Sequence, residues 1–153
     1  MTALLFLVTI TLLTVSSMRS SNIGLHLAQN EESQVAAGQA AQALIDAIVA
    51  SPASTPVVGD TGYSSCTPGE TDCDRNDLPI PNPTLAAEVD ANHIQARVDR
   101  VGTLFRPPPR AVETSIDKFT SASFRVVTTY DRIDDGLGQQ QITSGVLVLV
   151  PKD

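Results

Sequence analysis

The sequence predicts an α+β protein: one long N-terminal α-helix, an irregular connector, then an antiparallel β-sheet of three or more strands. Three observations carry that expectation. No proline occurs before Pro52. Apolar residues recur at helical intervals in the first third of the chain and at every second position in the last. Between these lies a stretch dense in Pro, Ser, Thr and Gly, which favours turns and loops. The implied divisions are a helix over 1–51, a connector over 52–92 and a sheet over 93–153. Within the helix, 1–18 is the apolar part and 19–51 an amphipathic part that packs on the sheet.

The helix begins with "MTALLFLVTITLLTVSSMR", in which Arg19 is the first charged residue. Residues 1–18 span roughly 27 Å as a helix, enough to cross a bilayer core. Thr2, Thr9, Thr11 and Thr14 temper its hydrophobicity. Read as a signal peptide, the segment lacks a basic start and a marked cleavage site, so a retained helix is the preferred reading. Residues 22–50 are rich in Ala, Leu and Gln, all good helix formers. Leu25, Ala28, Val35, Ala37, Ala41, Leu44 and Ile48 form an apolar stripe at three-, four- and seven-residue intervals. Gly24 and Gly38 are its weak points, each costing up to ~1 kcal/mol relative to Ala. Pro52 and Pro56 end the helix.

In the connector, "SSCTPGETDCDRND" places Cys66 and Cys73 around a turn-forming Pro68–Gly69 pair, and an exported chain would close them as a disulfide. The chain-entropy model assigns so short a loop roughly 2.5 kcal/mol. "DLPIPNPT" cannot be a central strand, and a short helix is expected over 85–92. Beyond it, Ile94, Ala96 and Val98 alternate with polar neighbours, and Phe124, Val126, Thr128 and Tyr130 share one face of a second strand. "QQITSGVLVLVP" supplies a third strand, joined to the second through Gly136 and Gly138, a hairpin signature. "FRPPPRAVETS" reads as a polyproline-like crossing between the first two strands.

Charge and composition exclude several functions. The net charge is −7 and the sequence holds four Phe, two Tyr and no Trp, with no basic cluster, so nucleic-acid binding is disfavoured. Asp72, Asp74 and Asn76 begin like a calcium loop, but Asp77 replaces the expected Gly and Pro83 stands at the twelfth position. A solvated acidic turn is the preferred reading, and no metal or other cofactor is expected. Neither His26 nor His93 has a ligand constellation in the sequence, and no base is set to activate Ser64 or Ser65. No catalytic motif is present, so the chain is not expected to be an enzyme. Residues 51–56 have the composition of an O-glycosylated segment, while Pro83 disqualifies Asn82 as an N-glycosylation acceptor.

The apolar run ending in Met18-Arg19, followed by "AQNEESQVAAGQAAQALIDA", resembles type IV pilins, and more narrowly PilX-type minor pilins. "FRVVTTYDRIDDGLGQQQITSGVLVLV" looks like their closing hairpin. The resemblance implies a structural subunit that polymerises through its apolar helix. It further implies that Met1 is the mature N-terminus, exposed by removal of a basic leader and N-methylated. Major pilins usually carry a glutamate near the start; here Leu5 stands in that place and no acid precedes Glu31, as in minor subunits. Expected partners are copies of itself and other pilins, the inner membrane before assembly, and the assembly machinery. Expected localisation is an extracellular filament on a bacterial surface with a role in adhesion. A type II secretion pseudopilin and a membrane-tethered extracytoplasmic binding module are the alternatives.

Overall fold

A computed structural model describes residues 2–57, 60–102 and 118–151. Its first element, α1, runs unbroken over Thr2–Ala50. At 1.5 Å per residue its 49 residues extend about 74 Å. A three-residue 3₁₀ turn at Pro52–Ser54 closes it, the Ser51 amide bonding the Ile48 carbonyl at 3.1 Å. A short helix, α2 (Pro83–Asp90), and four strands follow: β1 (Ser64–Cys66), β2 (Ile94–Arg100), β3 (Phe119–Arg132) and β4 (Gly138–Pro151). The strands form one antiparallel sheet in the order β1-β2-β3-β4. The α+β expectation is met, with the long helix first and the sheet after it.

Two elements differ from the sequence reading. β1 lies inside the segment read as irregular connector, pairing Ser64 with Asp99 and Cys66 with Arg97. Three residues carry too little pattern to announce a strand, and this one exists through its partner β2. α2 starts at Pro83 because Asn82 caps it: the Asn82 side chain accepts from the Thr84 amide at 2.9 Å, and Pro83 at the first helical position sacrifices no hydrogen bond. The polyproline-like crossing expected at 105–115 lies outside the described residues.

The core sits between the C-terminal third of α1 and one face of the sheet. Ala37, Ala41, Leu44, Ile45 and Ile48 of α1 are buried against Ile94, Ala96 and Val98 of β2 and Ala122, Phe124 and Val126 of β3. Ala41 and Thr128 are fully buried, and the Thr128 hydroxyl donates to the Ala41 carbonyl at 3.3 Å. A larger residue at position 41 would hold helix and strand apart. On β4 the same face is only half-buried.

The packing part of α1 is shorter than the 19–51 read from the sequence. Leu25 and Val35 are 62% and 60% exposed and Ala28 is exposed too, so burial begins at Ala37. Periodicity marks which side of a helix is apolar, not how far a sheet extends beneath it, and among the described residues no sheet underlies the earlier turns.

The β3–β4 hairpin follows the glycine pattern. A 3₁₀ turn at Ile133–Asp135 ends on Gly136 in the left-handed region (φ 73°), and Gly138 adopts φ 81°. Both are conformations that side-chain-bearing residues adopt at a cost.

Candidate functional site

The N-terminal half of α1 is the most unusual surface. Leu4, Leu5, Phe6, Leu7, Leu12 and Leu13 are each 65–71% exposed. Soluble monomers rarely leave a contiguous apolar patch larger than a few hundred Å². α1 is long and apolar enough to cross a membrane, and its most apolar window is wholly unburied; by length and composition it fits an anchor or a signal.

The threonines do not spoil this surface. Thr9 donates its hydroxyl to the Phe6 carbonyl at 2.9 Å, Thr11 to Leu7 and Val8 at 3.0 and 2.9 Å, and Thr14 to Ile10 and Thr11 at 3.1 and 2.9 Å. Each hydroxyl is satisfied within its own helix, leaving the segment to present methyl groups. Leu5 points no acid into its surroundings and is 66% exposed. Met1 lies outside the described residues.

The second feature is the connector loop. Cys66 and Cys73 are joined in a disulfide with a Cα separation of 6.1 Å. Cys66 is fully buried. Beside it, the Asp74 carboxylate accepts from the Ser64 amide at 2.8 Å and from the Ser64 hydroxyl at 3.2 Å. Arg75 continues the attachment, donating its amide to the Ser64 carbonyl at 3.2 Å and accepting from the Cys66 amide at 2.8 Å. The Leu78 amide then bonds the Cys66 carbonyl at 3.1 Å. The loop thus runs along the outer edge of β1 and closes it.

Several of the candidate residues lie in or beside this loop. Asp74 is occupied in fastening the loop through Ser64. Among the described residues no group of three or more His, Cys, Asp or Glu could hold a metal. Ser64 and Ser65 are buried in β1, and the Ser64 hydroxyl is taken up by the Asp74 carboxylate that fastens the loop. The Arg75 guanidinium pairs with Asp77, holding that exposed carboxyl below its usual value while its own affinity for a proton rises. His93 meets Glu88 at 2.9 Å, and His26 is exposed on α1.

On the sheet face opposite α1, Asp99 is gripped by two arginines. Arg97 Nε lies 2.7 Å from Asp99 Oδ1 and Arg125 Nη2 2.9 Å from Oδ2. The hydrogen bond to Asp99 raises the Arg97 pKa, with smaller contributions from Glu70 and Asp72, so the cluster is a balanced network rather than a basic patch. A larger open depression of about 770 Å³ lies at the hairpin end of the sheet, between His93, Asp131, Arg132, Asp135 and Gln139. Its polar groups also pair internally: Arg132 Nε with Asp135 at 2.7 Å and Gln139 Nε2 with Asp131 at 3.0 Å. Neither place offers a nucleophile beside a base.

One exposed feature was not legible in the sequence. β4 is the outermost strand, fourteen residues long and without a charged side chain. Alternation identifies a strand but is silent on whether it ends up inside a sheet or at its margin. Against known proteins, no family model, no curated protein and no solved structure matches the chain.

Proposed function

We propose that the chain is a structural subunit of a type IV pilus or closely related extracellular filament, held in the inner membrane by its apolar helix before assembly. It acts by polymerisation rather than chemistry. The observation that carries the reading is the division of α1: residues from Ala37 onward are locked to the sheet, while the apolar turns before them are uncovered. Burying a Leu or Phe side chain is worth roughly 1.5–3 kcal/mol relative to water. Lipid first and copies of the same helix afterwards would each supply that burial. A head-to-tail contact between such copies that does not close into a ring generates a helical filament.

Leu5, with no acid before Glu31, supports a minor subunit over the bulk one, because no carboxylate is available to pair with a neighbour's N-terminal amine. The test replaces residues 2–18 with an unrelated helix of equal hydrophobicity. Under this reading the variant inserts in the membrane but no longer enters filaments imaged by electron microscopy with a label on the sheet domain. Unchanged function in the swapped variant would favour a membrane-tethered binding module instead.

A further inference from the structure

The two margins of the sheet are built differently. Beside β1, the backbone of Arg75 and Leu78 already bonds the strand, so that edge is closed. β4 pairs residue for residue with β3 along its whole length, Phe119 with Pro151 through Arg132 with Gly138, without a bulge. The direction of its other backbone groups follows from β3. Asp131 donates its amide to His93, and the Ser123 carbonyl accepts from Val101, at 2.9 Å each. Odd-numbered residues of β3 therefore address the β2 side and even-numbered ones address β4. Through the register, the even residues of β4 face β3. The amides and carbonyls of Gln139, Gln141, Thr143, Gly145, Leu147 and Leu149 face outward, and no backbone partner for them occurs among the described residues.

Natural sheets protect long edges with charge, proline, a bulge or a covering segment. β4 has no charge and no bulge, and its proline stands only at its last position. In a chain of net charge −7, fourteen neutral residues form a place where a neutral strand meets no repulsion. We propose that this edge accepts an extended strand from a different polypeptide, adding a fifth strand to the sheet. The matching segment is uncharged, with hydrogen-bonding side chains opposite Gln139–Thr143 and β-branched or aliphatic ones opposite Gly145–Leu149. Backbone bonds would supply affinity and the alternate side chains selectivity.

A second copy fits the edge poorly. Head-to-tail joining needs the β1 edge, which is closed. Antiparallel joining of β4 to β4 requires a two-fold axis normal to the sheet. α1 lies on the sheet face, packed against β3 and β4, so that axis would reverse it. The two apolar helices would point in opposite directions and could not enter the same membrane or the same polar filament. The exclusion of a second copy rests on the proposed membrane and filament role, whereas the open edge itself does not.

The test uses the full chain in nanodiscs and, as probe, a lysine-flanked peptide carrying the sequence of residues 138–151, which lacks the constraint imposed by α1. Hydrogen exchange should show Thr143, Gly145 and Leu147 amides fast in the chain alone and protected by the peptide, with Ile142, Ser144 and Val146 slow in both. Thr143→Pro removes an outward amide without touching the β3 ladder and should weaken peptide binding about tenfold or more. Thr143→Lys, which keeps the outward amide, should weaken binding of the same peptide less than Thr143→Pro does. The two variants' unchanged near-ultraviolet spectra would show that they fold. Outward amides already protected in the chain alone, equal peptide affinity for wild type and Thr143→Pro, or photocrosslinks joining β4 to β4 between copies in one nanodisc would each overturn the proposal.

Discussion

The division of α1 into a packed part and an uncovered part makes a sharp prediction for two leucines of the same helix. Leu44 is fully buried and belongs to the central cluster, whereas Leu27 is 61% exposed. Leu44→Ala removes three carbons from a site walled by helix on one side and sheet on the other. The expected cost is the lost transfer energy plus that of an incompletely collapsed cavity, about 2.5–4 kcal/mol. For a folded part of roughly 100 residues, each kcal/mol lowers the midpoint by about 4–8 °C, so the melting temperature should fall by about 10–30 °C. Leu27→Ala should change stability by less than about 0.5 kcal/mol. The assay is thermal unfolding of the full chain in detergent, followed by the near-ultraviolet signal of Tyr63 and Tyr130, which report on the sheet domain rather than on helix content. The reasoning fails if the two substitutions cost the same, or if Leu44→Ala costs under about 1 kcal/mol, because either outcome places the core elsewhere.

Three further outcomes follow from the same geometry. Ala41→Leu should destabilise by about 1–3 kcal/mol or more through overpacking against Thr128, a midpoint shift read by the same unfolding assay. Gly136→Ala should destabilise by about 1 kcal/mol because its φ is 73°, while Gly24→Ala should raise stability or helicity. Gly24 is mid-helix with nothing within 4 Å of an added Cβ, so chemical denaturation and far-ultraviolet dichroism should report opposite signs for the two. Finally, the Arg75 pairing lowers the Asp77 pKa, so its small stabilisation is present above the usual carboxylate range and lost as pH falls through the lowered value. Arg75→Gln should move the Asp77 titration upward when followed by carboxyl NMR shifts.

What was legible in the sequence was local. A proline-free run ending at Pro52 gave the helix, and two glycines willing to take positive φ gave the hairpin between Arg132 and Gly138. Alternation over 94–98 and 124–130 marked the buried face of β2 and β3. What escaped was decided by contacts distant along the chain. Ser64–Cys66 is a strand because Arg97–Asp99 lies beside it and because Asp74 and Arg75 return to fasten its other edge. Leu25 and Val35 obey the same helical period as Leu44, yet only Leu44 is buried, since burial needs a second surface that the period cannot supply.

The same limit applies to the candidate sites, and it links them. Cys66 and Cys73 were recognisable as a pair, but the consequence of the pairing appears only in three dimensions: the pinned loop seals one side of the sheet. With that side sealed, the hydrogen-bonding capacity left on the sheet's margins is concentrated on β4, and any further strand must arrive there. Removing the disulfide by Cys66→Ala with Cys73→Ala is therefore more than a stability change of roughly 2.5 kcal/mol. Loosening residues 74–78 would expose the backbone of β1, giving the sheet two receptive edges in place of one. Head-to-tail joining of copies would then become available where it is blocked now, and slow concentration-dependent association of the double variant, at temperatures well below its unfolding, is the expected result. An equally monodisperse double variant whose β1 amides exchange no faster than in the wild type would show that the sheet closes its first edge without the loop.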